Sequence, residues 1–202
     1  MGRYTGPKHK LCRREGEKLF GAEHCPVKRR PYPPGGQRRR RFKRSQYWSQ
    51  LRGKQKAKRI YGLRERQFKR YVNQAKGKKG PTGDHLLQLL ERRLDNVIYR
   101  ASFSSTRAQA RQLVTHGHFQ VNNRRVNIPA YQVREGDVIQ VKENSRVKKG
   151  IVEIVNENEK RPIPEWIEAD RDGLRFTILK TPDPEQVEHT LQTDLIVEFY
   201  SR

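Results

Sequence analysis

The positive charge of this chain is concentrated at one end. Its whole formal excess of +23 lies in residues 1–80, where 27 basic side chains face 4 acidic ones. Residues 81–202 hold the remaining 18 basic and 18 acidic side chains and are net neutral. Charge at that density repels itself in a compact state unless a polyanion neutralises it. Nucleic acid is the natural partner, because each neutralised phosphate also releases a condensed counterion. Solubility alone asks for a net charge of only about 2–8 on a small domain. An anionic membrane surface is the competing partner, but the front half lacks a continuous apolar helical face to insert. No run approaches the roughly 18 apolar residues of a membrane span, so no membrane association is expected.

The opening Met1-Gly2-Arg3-Tyr4-Thr5-Gly6 has no apolar stretch behind it and predicts no secretory leader. Gly6 stands where a myristoylation signal wants Ser or Thr. Two cysteines in 202 residues make no disulfide framework and suit a reducing compartment, which makes the cytoplasm the expected location.

Residues 1–44 read as an extended basic arm, with Pro31, Pro33, Pro34, Gly35 and Gly36 followed by the run from Arg38 to Arg44. From Ser45, a plausible N-cap, the pattern predicts a helix through Tyr47, Trp48 and Leu51 to Ile60, stopping at Gly62. A second helix is predicted over 64–76, with Phe68, Tyr71 and Val72 as its buried stripe. After a loop containing Gly77, Gly80, Pro81 and Gly83, Asp84 looks like the cap of one long apolar helix reaching Ile98. Thr106 and Gln109 have capping-box spacing, and the helix that follows stops at Gly117, a good left-handed C-terminal glycine. Phe119-Gln120-Val121 alternates, turns at Asn122-Asn123 and returns through Arg124-Arg125-Val126. Val138 to Val141 supplies another strand. The apolar closing run Leu195 to Tyr200 needs burial, which predicts that the C-terminus returns to the helices of residues 45–90.

The expected class is therefore α+β. It combines the arm (1–44), a mainly helical domain completed by the C-terminus (45–91 plus 151–202), and an inserted module of small antiparallel sheet packed on helices (92–150).

The stretch ERRLDNVIYRASFSSTRAQARQLVTHGHFQVNNRRVNIPAYQVREGDVIQV resembles the RNA-binding module named after small-subunit ribosomal protein four. The opening MGRYTGPKHKLCRREGEKL, the central KQKAKRIYGLRERQF and the ending LIVEFYSR resemble the rest of that bacterial-type family. The module also occurs in RNA-modifying enzymes, but all four blocks in order are specific to the ribosomal family. The resemblance implies a structural, non-enzymatic protein that binds the 5′ domain of 16S-type ribosomal RNA and nucleates small-subunit assembly. It also implies contact with ribosomal protein five and a place beside the channel through which messenger RNA enters, with consequences for accuracy. No homo-oligomer is implied.

Carried over onto this sequence, the module's RNA contacts are Arg107, Gln109, Arg111, Gln112, His116 and Asn122. Guanidinium groups grip phosphates with a planar fork, and amides reach ribose hydroxyls and base edges. In the front half, Arg3, Arg13, Arg14, Lys54, Lys56 and Arg59 are the expected ribosomal RNA contacts, and Arg40, Arg41, Lys43 and Arg44 are candidates for the messenger channel. For these four, neutralisation of ribosomal RNA is an equally good reading. Three residues depart from the family pattern: Asn123 replaces a hairpin glycine, Ala130 a serine before Tyr131, and Ala101-Ser102 a Leu-Gly pair.

Many relatives bind zinc through four N-terminal cysteines. Here the corresponding set is His9, Cys12, His24 and Cys25, and adjacent residues such as His24 and Cys25 rarely point at one ion. The expectation is no metal and no other cofactor. An enzyme that borrowed the module would need a further catalytic domain, and the four blocks leave no chain to build one. A stand-alone RNA chaperone would not need the closing block.

Overall fold

The computed structural model describes residues 4–20, 24–35, 45–187 and 191–201. Two compact units emerge, Met1–Leu86 with His189–Arg202, and Leu87–Glu188. No helix among the described residues is long and apolar enough to cross a membrane.

In the first unit, α1 (Lys8–Glu15) ends on Gly16, whose left-handed φ of 77° lets its N–H reach the Cys12 carbonyl at 2.9 Å. Cys12 and Leu19 are buried, so this part of the arm is folded against the helix that follows. The expectation of a uniformly extended arm is corrected to that extent. A few apolar residues and Glu15, placed beneath two arginines, are enough to dock it.

Helix α2 (Gln46–Ile60) begins at Ser45, whose Oγ accepts from the Trp48 N–H at 3.2 Å. It closes at Gly62, φ 62°, with the Leu63 N–H on the Lys58 carbonyl. Helix α3 (Glu65–Lys76) buries Phe68, Tyr71, Val72 and Ala75, as its spacing predicts.

The closing helix, named α8 below because it is last in the chain (Thr193–Ser201), packs on α2 and α3. Gln50 donates to Glu198 at 2.8 Å, and Lys76 Nζ donates to the Tyr200 carbonyl at 2.9 Å. Leu195 lies against Gly53, where a Cβ would crowd it. The predicted return of the C-terminus is thus what the chain does.

Helix α4 (Thr82–Glu91) starts before Asp84, which stands in its first turn rather than at its cap, and Gly83 is inside the helix. The apolar stripe predicted as one helix is two. The chain turns extended at Arg93 (φ −68°, ψ 133°) before α5 (Leu94–Arg100). There Arg93 bridges Gln132, and its guanidinium forms a buried pair with Asp95, Nη2 to Oδ2 2.6 Å. A buried charge must be paired, and this pair sits at the break; helical periodicity alone runs straight through it.

Helix α6 (Arg107–Thr115) has the predicted cap. Thr106 Oγ1 accepts from the Gln109 N–H at 3.2 Å, and Gln109 Oε1 accepts from the Ser105 N–H at 2.8 Å. It ends at Gly117, φ 72°, with the His118 N–H on the Leu113 carbonyl. Strand β1 (Phe119–Val121) turns back to β2 (Arg124–Arg125) through Asn122 and Asn123, both left-handed (φ 49° and 63°). The asparagine that replaces the family's glycine fills its conformational role.

The sheet does not stop at β3 (Val138–Val141). After α7 (Lys148–Glu157), strands β4 (Ile167–Asp170) and β5 (Arg175–Ile178) complete an antiparallel order β2-β1-β3-β5-β4. Ile151 and Val155 of α7 and Trp166, Phe176 and Ile178 share one core with Val97, Ile98, Val114, Phe119 and Ile139. Residues 151–187 therefore belong to the module, and the boundary expected at 150 is corrected. Pairing of Ile139 with Phe176 joins segments too far apart for a local pattern to announce.

Ser102 follows α5 in the left-handed region, φ 71°, where the family pattern has glycine, and the Phe103 N–H closes on the Ile98 carbonyl. Its hydroxyl is buried without a hydrogen-bond partner among the described residues. Left-handed geometry costs a residue with a Cβ about 1–2 kcal/mol. Ser102→Gly is expected to stabilise the module by about 1 kcal/mol after the added freedom of the unfolded chain is discounted. A urea midpoint that stays put or falls would show that the position is unstrained.

Candidate nucleic-acid interface

Few carboxylates are available in the front unit, and Glu15, Glu17 and Glu65 each organise cations. Glu15, with a side chain only 2% exposed, receives both Arg52 (3.1 Å) and Arg59 on Oε1. Burial pushes its carboxyl up, and Arg52 and Arg59 pull the other way without fully cancelling it. Glu17 takes Lys56 at 2.7 Å. Glu65 takes Lys54 (2.9 Å), Lys58 (2.8 Å) and the Tyr200 hydroxyl (2.6 Å). Burial acts to raise Glu65, but the hydrogen bonds from Lys58, Tyr200 and Lys54 prevail and hold it at about 2. The knot between α2, α3 and α8 therefore keeps its charge at any ordinary pH.

The front-half candidates divide accordingly. Arg59 and Lys56 are partly exposed and fixed in place by carboxylates, so they offer oriented cations to a ligand. Arg13 is held by the Tyr32 carbonyl (Nε to O 3.1 Å) and stacks on the Tyr32 ring at 4.8 Å. Arg14 is exposed. Lys54 is corrected: it is 5% exposed, with its ammonium on Glu65 and 4.4 Å from the centre of the Phe199 ring. Its charge serves the seat of the closing helix, which its position in a basic run conceals. Arg52, which sequence reasoning passed over, is oriented on Glu15 as Arg59 is. Arg3, Arg40, Arg41, Lys43 and Arg44 lie outside the described residues.

In the module, α6 presents most of the predicted residues. Gln112 and His116 are exposed and Arg111 is partly so. Arg107 is positioned by its neighbours, with Nε donating to Asn96 Oδ1 at 2.7 Å and the guanidinium 4.3 Å from the centre of the Tyr99 ring. Asn96 is anchored in turn on Glu91. Arg161, which had no sequence signal, stacks on the same ring at 3.6 Å. Gln109 completes the helix cap, the structural half of its two predicted roles. Asn122 also serves the fold: its Oδ1 accepts from the Val138 N–H (2.9 Å) and its Nδ2 donates to Asp137 (2.8 Å). That spacing positions the hairpin tip, where Asn123, Arg124 and Arg125 are exposed beside it.

Of the four potential metal ligands, Cys12 and Cys25 approach each other. Burial raises the Cys12 thiol, opposed by hydrogen bonds from the Leu19 and Phe20 backbone, and Cys25 raises it further. No third His, Cys, Asp or Glu among the described residues joins them in a group that could hold a metal. His9 and His24 are exposed. Structural zinc wants four ligands in a tetrahedron, and among the described residues no three of these candidates form a group that could hold a metal.

Comparison with known proteins matches two family models along the chain. Residues 3–91 match the ribosomal protein S4/S9 N-terminal domain and residues 92–139 the S4 domain. The small ribosomal subunit protein uS4A of Symbiobacterium thermophilum is 51% identical over 208 residues, covering 100% of both chains. The uS4 proteins of Caldicellulosiruptor bescii and Thermotoga maritima are 50% and 51% identical, again over 100% of each chain.

Proposed function

Because the chain belongs to the uS4 family of small ribosomal subunit proteins, we propose that it binds the 5′ domain of 16S-type ribosomal RNA early and nucleates assembly of the subunit. As a member of that family it is a structural, non-enzymatic constituent of the small subunit that binds ribosomal RNA. The observation that carries this reading is a match at about half identity along the full length of the relatives.

Geometry gives the reading a division of labour. The front unit holds a large excess of cations, several fixed in direction by Glu15 and Glu17. Such an array neutralises phosphates broadly and supplies salt-sensitive affinity. The module offers Arg107, Arg111, Gln112 and His116 on one capped helix, a fixed pattern suited to the shape of a folded RNA. Finer points of the proposal are a monomer located in the cytoplasm, contact with ribosomal protein five, and a role for Arg40, Arg41, Lys43 and Arg44 beside the messenger channel. The protein is further proposed to act without a metal or other cofactor.

Binding to a 5′-domain transcript should weaken along a straight line in log salt, with a slope of about −0.9 per phosphate neutralised on duplex segments. Replacing Arg107 and Arg111 together by Ala should weaken it by about 2 kcal/mol. Unchanged affinity in a filter-binding assay would remove α6 from the interface. Ribosomes carrying Ala at Arg40, Arg41 and Lys43 should assemble but initiate or unwind messenger RNA abnormally; normal behaviour there would refute the channel assignment. Metal analysis of the purified chain should return well under one equivalent of zinc, and a full equivalent would overturn the cofactor-free reading.

A further inference from the structure

Within the module, several cations already have a carboxylate. Arg93 pairs with Asp95, Arg100 with Glu91, Arg175 with Asp170 and Lys180 with Glu165. A different group collects on the outer face of the sheet. Phe119, Val121, Ile139 and Val141 point into the core, so the alternation of a strand sends Gln120 and Gln140 to the opposite face, with His118 and Lys142 beside them. Gln120 is opposite Arg125 on one side and Gln140 on the other. The Lys142 N–H donates to the His118 carbonyl at 2.9 Å, which sets those two residues next to each other. His116, at the end of α6, brings its ring centre within 6.0 Å of that of His118. The Arg125 guanidinium lies over Gly117, so close that any Cβ there would overlap it.

These groups lack counter-charge. Neither Arg125 nor Lys142 makes an ion pair or side-chain hydrogen bond among the described residues. His118 hydrogen-bonds through Nδ1 to Ser145 Oγ at 3.0 Å, and its Nε2 has no partner among the described residues. The groups facing this imidazole are His116 from α6, Arg125 from β2, Lys142 from the end of β3 and Ser145 from the loop beyond. Burial lowers its pKa, and His116, Arg125 and Lys142 lower it further. Asp170, on the same face, is occupied by Arg175, and Glu143, next to Lys142, is exposed. Converging donors of one sign repel one another until an anion is placed among them.

We propose that Arg125, Lys142, His116 and His118 form a binding site for an RNA backbone phosphate, coupled to proton uptake by the His118 imidazole. The arginine supplies a planar fork for phosphate oxygens, the lysine a compact charge, and protonated His118 an N–H donor at Nε2. The site rests on the RNA-binding reading above and adds to it residues outside α6. The sign of the coupling follows from the geometry. In the free chain the surrounding cations disfavour the imidazolium, whereas a bound phosphate favours it. The complex therefore binds more protons than the free chain, and affinity rises as pH falls through the histidine range.

The test uses the full-length chain and the 5′-domain transcript at fixed salt. The wild type should bind on the order of tenfold more tightly at about pH 5.5 than at about pH 7.5. Calorimetry in buffers of different ionisation enthalpy should show net proton uptake by the protein on binding. His118→Gln should abolish most of that uptake and flatten the pH dependence. Arg125→Ala with Lys142→Ala should weaken binding on the order of tenfold at both pH values. Melting curves of each variant should match the wild type. Should a variant unfold, proton uptake by the wild type decides the matter, since its absence overturns the proposal. Variants that bind and take up protons like the wild type remove this site but leave the RNA-binding reading intact. A wild-type chain that binds no transcript overturns both. Inorganic phosphate is the remaining probe: if it shifts the imidazole resonances at millimolar levels while the variants bind RNA normally, the site is one for free phosphate and the RNA proposal falls.

Discussion

Repulsion among like charges governs the front unit. With 27 cations and 4 carboxylates in its first 80 residues, the chain cannot neutralise itself, and where the carboxylates stand decides what can fold. Glu15 is buried under Arg52 and Arg59, which ties the first helix to the second. Glu65 gathers Lys54, Lys58 and Tyr200, which ties the third helix and the closing helix to the second. Breaking one partner away from the buried Glu15 leaves uncompensated charge, an effect worth about 3–5 kcal/mol in comparable buried pairs. The same ion pairs orient the cations left partly exposed. Structural and ligand-facing electrostatics are thus one arrangement in this unit.

The module solves the opposite problem. Its charges nearly balance, with 17 basic and 15 acidic side chains over residues 87–188, so it can bury several of them, and the buried Arg93–Asp95 pair sits where one helix gives way to the next. Glu91 and Asn96 pass that order outward to Arg107, which reaches the surface already positioned. Cations without carboxylates are then conspicuous, and those around His118 share one face of the sheet because strand alternation and register bring them there. A charge-balanced domain can in this way carry a concentrated positive face that its net charge does not reveal.

Local signals in the sequence were legible wherever the chemistry was local. The Ser45 and Thr106 caps, the stops at Gly62 and Gly117 and the Asn122-Asn123 turn all depend on residues within a few positions of each other, and all appear as expected. The return of the closing helix was legible too, because an apolar run needs cover. Most of what failed depends on a distant partner. The helix over 84–98 breaks where Arg93 bridges Gln132, and the module continues past 150 because β3 pairs with β5.

For the candidate site, sequence alone determined that a polyanion must be met, which half meets it by charge, and that a capped helix bearing arginines stands in the other half. Tertiary structure decided which of those cations are available. Lys54 and Lys56 are two residues apart in one basic run, yet one is sealed beneath Phe199 and the other reaches the surface on Glu17. Arg125 and Lys142 carried no signal of their own, and strand register makes them neighbours of His118. The reason is physical: composition fixes how much charge a chain carries, but a charge acts through the groups within a few ångströms of it, and only the folded chain chooses those.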